Sequence, residues 1–361
     1  MEPELKVLEL YSGIGGMHYA LLGANLKNCE VVCSVDISPA ASLVYKHNFP
    51  GTKHWERSIE GFSAKDFDNM GFNTLMMSPP CQPFTRVGLQ KDINDPRTRS
   101  FIYLMKVLPQ LSNPPTYILM ENVKGFENSK AHDMFLQVLE QLEYSTAQFL
   151  LTPKQFGVPN SRLRYLLSPS RLLFKDFNIY KELFSRYYLL AKRKPLQFPD
   201  EVNTPNEVIE TMPQALQKCL NSNAGKEQNE KHTIKTLENY LEEAESTLKE
   251  HALTEKTLLR YLQVMDIVTP RHQSSTCFTK SYGYYAEGTG SVLNMGGEIK
   301  MSNPLHNNLR YFTAREVANI MCFPKDKFHF PENFTRKQKY KLLGNSLNVY
   351  VVSCLLKLLI T

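Results

Sequence analysis

A short apolar strand that leads into a glycine-rich loop and then a helix constrains this fold most. Residues 6–11 are predicted as the strand, residues 12–16 (Ser-Gly-Ile-Gly-Gly) as the loop, and residues 17–22 as the helix. This order opens a mononucleotide-binding unit, because glycines allow a tight turn and let a ligand approach the backbone. The dinucleotide pattern G-x-G-x-x-G is not met, since His18 stands at the third glycine position.

The next predicted strand, residues 30–36, ends in Asp36. A carboxylate at the end of the second strand can accept hydrogen bonds from both hydroxyls of a ribose. Asp36 also precedes Pro39 in a pattern that resembles a helix start, so it could cap that helix instead. The two roles are compatible, and the sequence leaves both open.

Strands and helices alternate through the first 170 residues. Helices are predicted over residues 101–111 and 132–142, between strands. The further predicted strands are 74–77, 117–120, 147–151 and 165–167. This alternation predicts an α/β domain with a mostly parallel sheet covered by helices on both faces.

One cysteine lies on a loop that prolines stiffen, directly after the predicted strand 74–77. Prolines at positions 79, 80 and 83 restrict the backbone and remove donors, so neither helix nor strand continues through Cys81. Ligands bind at the carboxyl ends of strands in open α/β sheets, which makes Cys81 a candidate nucleophile. A small buried packing residue is the alternative.

Charged side chains follow two later strands. Glu121 comes directly after strand 117–120 and is a candidate acid, with a solvated loop residue as the alternative. Arg162 and Arg164 flank Leu163, so in an extended chain they share one face. Two guanidinium groups on one face suit a phosphate or a substrate carbonyl, or are simply edge-strand charges.

Composition excludes several classes of protein. No run of 18 apolar residues occurs, so no membrane-spanning helix is expected, and the acidic N-terminus does not resemble a secretory signal. The seven cysteines form no CxxC pair, which argues against a structural zinc site and a disulfide framework and fits a reducing compartment. We therefore expect no metal, and a cytoplasmic location with the nucleus as an alternative.

The net charge of +6 is modest but unevenly distributed. Residues 171–194 and 325–341 are rich in Lys and Arg, and an acidic stretch separates them. Aromatic residues interleave the first basic stretch, which suits base stacking and equally suits an ordinary core. We expect both basic stretches, including Lys192, Arg193 and Lys194, to contact RNA phosphates, with a solvated face as the alternative.

Taken in order, these motifs resemble those of the cytosine-5 methyltransferase family. The glycine loop 12–16 is followed by Pro80-Cys81-Gln82, Glu121-Asn122-Val123, Arg162-Leu163-Arg164 and Gly344-Asn345-Ser346. Residues 78–86, 277–280, 285–291 and 342–349 resemble most closely the small branch of that family that methylates aspartate transfer RNA. The region from 170 to about 268 matches no motif of the family.

The resemblance implies a Rossmann-like class I methyltransferase sheet with a small inserted domain. Residues 1–170 and 269–361 would form the catalytic domain, and residues 171–268 a target-recognition domain. The implied substrate is transfer RNA, with cytosine 38 of aspartate transfer RNA expected, and DNA as a weaker partner.

The resemblance also implies roles for individual residues. Cys81 would attack C6 of cytosine, Glu121 would act at N3, and Arg162 and Arg164 would hold the base and a phosphate. The cofactor would be S-adenosylmethionine. Its implied contacts are Ser12, Gly13, Ile14, Gly15, Gly16, Asp36, Ile37, Ile59, Glu60, Ser78, Pro80, Asn345 and Ser346.

Three other functions compete with this interpretation. A DNA cytosine-5 methyltransferase would use the same chemistry, although about a hundred residues of insert is short for reading a duplex. A binding protein without catalysis is disfavoured by intact Cys81 and Glu121. A nicotinamide-dependent oxidoreductase is disfavoured by the missing third glycine and by the Pro-Pro-Cys-Gln loop.

Overall fold

The computed structural model describes residues 3–84, 91–160, 185–202, 207–221, 233–242 and 250–360. The chain divides into two compact units. The first unit contains Met1–Leu151, Ser185–Gln228 and Val349–Thr361, and the second contains Thr152–Phe184 and Asn229–Asn348.

The first unit holds the larger sheet and most of the helices. Its strands are β1 (Leu5–Leu10), β2 (Cys29–Asp36), β3 (His54–Glu56), β4 (Thr74–Met77), β5 (Tyr117–Val123), β6 (Tyr144–Leu151), β7 (Arg186–Arg193) and β8 (Val208–Ile209). Its helices are α1 (Gly16–Gly23), α2 (Pro39–Asn48), α3 (Ala64–Asp68), α4 (Arg99–Val107), α5 (Lys130–Gln141), α6 (Gln214–Asn221) and α10 (Val349–Ile360).

The second unit has short elements. Its strands are β9 (Ile267–Val268), β10 (Val292–Asn294) and β11 (Leu309–Tyr311), and its helices are α7 (Glu255–Tyr261), α8 (Ala314–Ile320) and α9 (Arg336–Leu343). The three strands pair in the order β11-β10-β9. Across the described ranges of both units, no helix is long and apolar enough to cross a membrane.

The main sheet runs in the order β3-β2-β1-β4-β5-β7-β6-β8. Strands β3, β2, β1, β4 and β5 are parallel, and β7 runs antiparallel to both β5 and β6. Leu10 pairs with Val35 and Met77, and Met77 pairs with Met120. The carboxyl ends of the four central parallel strands therefore meet at one edge of the sheet.

Helices pack on both faces of this sheet. Leu8, Leu10 and Met77 belong to one buried cluster with Phe101 of α4 and Phe135 of α5. Glu9 points to the other face, since successive residues of a strand alternate. Its carboxylate accepts a hydrogen bond from Tyr45 of α2 at 2.9 Å. The expected α/β architecture with helices on both faces is confirmed.

Strand β7 was not predicted. For the aromatic residues of the basic stretch that contains it, the sequence left base stacking and an ordinary core open. Tyr187 and Tyr188 are almost completely buried, so in this part the aromatic residues form core. The predicted strand 165–167 lies outside the described residues. Strand β7 also falls within the segment 171–268, which was expected to form a separate domain. The main sheet therefore extends into that segment. A role of the segment in target recognition stays a prediction.

Candidate active site

The loop after β1 adopts a conformation that requires glycine. Gly13 and Gly15 have φ angles of +55° and +83°, in the left-handed region that other residues rarely adopt. A Cβ at Gly15 would lie 2.4 Å from a ring carbon of Phe49, so no larger residue fits there. The loop therefore makes a tight turn directly before α1, where Gly15 is the N-cap.

Asp36 holds this loop from the end of β2. Its Oδ2 accepts a hydrogen bond from the Gly13 backbone N–H at 2.8 Å, and its Oδ1 accepts one from Ser38 at 2.7 Å. The N-cap of α2 is Ser38, so the helix-cap interpretation of Asp36 is wrong. Burial raises the pKa of Asp36, and its backbone hydrogen bonds oppose that shift. The next residue, Ile37, is 69% exposed, so its apolar side chain lies at the surface beside the Asp36 carboxylate.

A buried polar chain supports the loop from below. His18, which replaces the third glycine, stacks on Phe49 with ring centroids 3.7 Å apart. Its Nδ1 lies 2.8 Å from the Tyr45 hydroxyl, which donates to Glu9. Burial lowers the pKa of His18 to about 4 and raises the pKa of Glu9 to about 8. Both side chains are therefore neutral at pH 7, which suits a buried cluster.

The loop that carries Cys81 is anchored at both ends. The Ser78 hydroxyl donates to the Tyr11 carbonyl at 3.2 Å, which links this loop to the glycine loop. After Cys81, a short 3₁₀-helix (Gln82–Phe84) begins, and the Phe84 N–H donates to the Cys81 carbonyl at 3.0 Å. Phe84 is buried edge-on against Phe126, with centroids 5.0 Å apart. Cys81 itself stays partly exposed, as a nucleophile must.

Glu121 lies near the end of β5 and is 5% exposed. Its Oε1 lies 3.0 Å from Nη1 of Arg186, the first residue of β7. Burial raises the pKa of Glu121, and the Arg186 guanidinium opposes this rise. A raised pKa is the direction that a general acid working near neutral pH requires.

The remaining predicted residues differ in exposure. Ile59 is 4% exposed and belongs to the core, whereas Glu60 is exposed and pairs with Arg99 at 3.5 Å. Pro80 is partly exposed beside Cys81. Arg162 and Arg164 lie outside the described residues.

Asn345 and Ser346 belong to the second unit, where they follow α9. Asn345 is exposed and Ser346 is partly exposed. A Cβ on the preceding Gly344 would lie 2.2 Å from the backbone of Lys280, so glycine is required in this motif.

The sheet brings four predicted groups to one edge. The glycine loop, Asp36, the Cys81 loop and Glu121 follow adjacent strands whose registers align their carboxyl ends. Arg186 joins them because an antiparallel strand begins where its parallel neighbours end. The sequence interpretation missed Arg186, although an Arg-Tyr pair before an apolar run was a visible signal. Together these groups offer a thiol, a buried acid and a nucleotide-type loop.

Comparisons with known proteins agree with this geometry. A family described as C-5 cytosine-specific DNA methylase matches residues 5–361. The chain belongs to this family. It is a methyltransferase, as the motifs predicted. A Mus musculus protein named tRNA (cytosine(38)-C(5))-methyltransferase is 41% identical, covering 99% of this chain and 94% of that relative.

Two further relatives bear on this methyltransferase. The crystal structure of the S. pombe Dnmt2 methyltransferase superposes with a TM-score of 0.79 and 38% identity, covering 99% of this chain and 98% of that one. A Dictyostelium discoideum protein named DNA (cytosine-5)-methyltransferase is 38% identical, covering 99% of this chain and 95% of that relative.

Proposed function

We propose that this methyltransferase transfers a methyl group from S-adenosylmethionine to C5 of cytosine 38 in aspartate transfer RNA. The observation that carries the chemistry is the arrangement of Cys81 and Glu121 at the sheet edge that also holds the glycine loop and Asp36. The substrate is proposed from the names of relatives such as the mouse protein, and aspartate transfer RNA from the motif resemblance.

The residues at the first two strand ends fit S-adenosylmethionine. The Ser12 hydroxyl is buried and has no hydrogen-bond partner among the described residues, so it can bond a ligand at the loop. Each Asp36 oxygen accepts one backbone N–H and has capacity for a ribose hydroxyl. Ile37 would offer its exposed side chain to the adenine. When bound, S-adenosylmethionine supplies the activated methyl group.

The chain's own residues prepare the cytosine. C5 is a weak nucleophile until the Cys81 thiolate adds to C6, which makes C5 enamine-like and splits one hard step into easier ones. Negative charge then builds toward N3, where protonated Glu121 donates its proton. After the methyl group has been transferred to C5, a base takes the C5 proton and N3 returns its proton to the Glu121 carboxylate. Departure of the thiolate then restores the aromatic ring and frees Cys81.

A single-stranded loop is the less costly substrate for this chemistry. The target base must leave its stack to reach Cys81, which costs a few kcal/mol in a duplex and less in a loop. Loops also present bases that are already unstacked. An anticodon loop is therefore favoured over duplex DNA.

Methyl transfer to transfer RNA and to duplex DNA tests this proposal directly. Total transfer RNA and DNA would be incubated with the protein and S-adenosylmethionine, and then sequenced after bisulfite treatment. We expect protection of cytosine 38 in aspartate transfer RNA. Protection of DNA alone would replace the proposal with the DNA activity that the Dictyostelium relative's name suggests.

Replacing Asp36 with alanine is expected to weaken cofactor binding by about 1–3 kcal/mol, because charge-assisted hydrogen bonds to the ribose are lost. Isothermal titration calorimetry measures the dissociation constant. Asp68→Ala is the matched control, since the Asp68 carboxylate also accepts a backbone N–H, from Ser112 at 3.0 Å. Equal dissociation constants for the Asp36 variant and the wild type would remove Asp36 from the cofactor site.

The structure changes which basic residues can contact RNA. Lys192 is 3% exposed, and its ammonium lies 4.5 Å from the centroid of the Phe198 ring, so its expected phosphate contact is wrong. Arg193 and Lys194 are exposed, but β7 separates them from Arg186 by roughly 23 Å at 3.3 Å per residue. That end of β7 lies at the opposite edge of the sheet from Cys81.

Helix α9 carries the better candidates. Lys337 and Lys341 are both exposed, and the Lys337 ammonium lies 4.9 Å from the centroid of the exposed Tyr284 ring. Replacing both lysines with alanine is expected to lower RNA affinity. The slope of log affinity against log salt should also flatten by about 0.7 per lost phosphate contact.

Binding of transfer RNA at several salt concentrations gives this slope. The matched control is the pair Arg193→Ala and Lys194→Ala, which removes the same charge and should change neither affinity nor slope. If only the control pair loses affinity, the RNA docks at the other edge of the sheet.

A further inference from the structure

The acid at the active-site edge has an arginine partner that the motif analysis did not assign. Arg186 Nη1 lies 3.0 Å from Glu121 Oε1, and the two side chains are 25% and 6% exposed. An opposite charge this close to a buried carboxyl acts through little solvent, so the contact matters more than a surface ion pair.

The sheet fixes this contact. Arg186 pairs with Val123 of β5 on one side and with Leu151 of β6 on the other. Glu121 pairs with Tyr188, so Glu121 and Arg186 are diagonal neighbours on one face of the sheet. Tyr187 and Tyr188 are at most 1% exposed, and their burial holds the register of β7.

The chain contains two similar segments, and the Arg-x-Arg motif of the family matches the first of them. Arg164-Tyr165-Leu166-Leu167 and Arg186-Tyr187-Tyr188-Leu189 both place an Arg-Tyr pair before an apolar run. The strand between β5 and β6 begins at Arg186, so the second segment presents its arginine to Glu121.

We propose that Arg186, rather than Arg164, is the positioning residue for Glu121. Arg186 orients the Glu121 carboxyl toward the edge of the sheet where the parallel strands end. It also sets the pH at which Glu121 releases its proton. The contact between Arg186 and Glu121 does not depend on the proposed function. Only the role of Glu121 in methyl transfer rests on that function.

The electrostatics give the proposal a direction. Burial raises the pKa of Glu121, and Arg186 opposes the rise. Two titratable groups that interact with Glu121, Arg186 and Tyr188, lie on β7. On the other side of β5, β4 ends at Met77, and the Cys81 thiol lies on the loop that follows it. Removing the guanidinium should therefore make Glu121 hold its proton to higher pH.

Carbon-13 NMR of glutamate-labelled protein measures this titration without requiring activity, with the Glu121 signal assigned by Glu121→Gln. In Arg186→Gln we expect the midpoint to rise by about one pH unit or more. Arg186→Lys keeps the charge and should restore most of the shift. Arg164→Gln and the exposed-site control Arg260→Gln should leave the midpoint in place.

The pH dependence of kcat/KM is the second measurement. Protonated Glu121 is the active form, so the alkaline limb should move upward in Arg186→Gln by the same amount as the NMR midpoint. An unmoved midpoint in Arg186→Gln, or a shift caused by Arg164→Gln, would overturn the proposal. The Arg164 variant keeps this test decisive even where Arg186→Gln fails to fold.

The two proposals can fail separately. If the wild type methylates neither transfer RNA nor DNA while the Arg186→Gln midpoint shifts, the proposed function is wrong and the positioning role stands. If methylation occurs while only Arg164→Gln moves the midpoint, the proposed function stands and the positioning role is wrong.

Discussion

Replacing Cys81 with alanine is expected to lower the rate of methyl transfer by roughly 10⁴-fold or more, as loss of a covalent nucleophile does elsewhere. Cofactor binding should remain close to wild type, because the glycine loop and Asp36 are untouched. Stability should change little, since Phe84 and Ser78 anchor the loop on either side of a partly exposed thiol. Transfer from labelled cofactor to transfer RNA measures the rate.

A trapping experiment separates covalent catalysis from simple loss of packing. RNA with 5-fluorocytosine at position 38 should form a stable adduct with the wild type and none with Cys81→Ala. Cys29→Ala is the matched control, because Cys29 is another partly buried cysteine of the first unit. A Cys81→Ala protein that retains most of its turnover would rule out the covalent mechanism.

Replacing Glu316 with alanine is expected to cost about 3–5 kcal/mol of unfolding free energy, because it leaves a buried charge without a partner. Arg310 is 2% exposed, and two of its nitrogens each lie 2.7 Å from a Glu316 oxygen. Glu316 also accepts the backbone N–H groups of Thr313 and Glu242. The alanine variant loses these bonds together.

Denaturant unfolding followed by far-ultraviolet circular dichroism measures this cost. Glu4→Ala, which removes the exposed pair with Lys6, should cost less than about 1 kcal/mol. The double variant Arg310→Met with Glu316→Leu should recover most of the loss, since no charge then remains buried. A Glu316→Ala cost as small as that of Glu4→Ala would contradict this account of the second unit.

The first five predicted strands of the main sheet follow from local pattern. Strand β1 ends three residues before Gly13, β2 ends at Asp36, and β4 ends two residues before Pro79, so a strand-breaking residue lies at or just after each end. The candidate residues at their ends were predictable for the same reason, because parallel strands share one carboxyl edge. The glycine loop, Asp36, Cys81 and Glu121 are examples.

Non-local pairing explains most of what the sequence could not predict. The two Arg-Tyr segments are similar in sequence, and only the pairing of β7 with β5 and β6 identifies Arg186 as the start of a strand. Ser38 and Asp36 are both good capping residues, but the Asp36 carboxylate bonds to Gly13, twenty-three residues earlier. The sequence suggested that Lys192 is a surface charge, but in the structure its ammonium lies over the Phe198 ring.

The contact between α1 and α10 has a consequence for synthesis on the ribosome. The Ser353 hydroxyl donates to the Ala20 carbonyl at 2.7 Å, across 333 residues of sequence. Gly23 leaves room for that approach, because a Cβ there would lie 2.8 Å from the Ser353 oxygen. At about 5–20 residues per second, translation takes on the order of 20–60 s to travel between these helices. During that time, the face of α1 that α10 will later cover has no native partner in the growing chain. During synthesis, chaperones can therefore bind this uncovered face of α1. In the finished molecule α10 covers the face, and chaperones can no longer bind it.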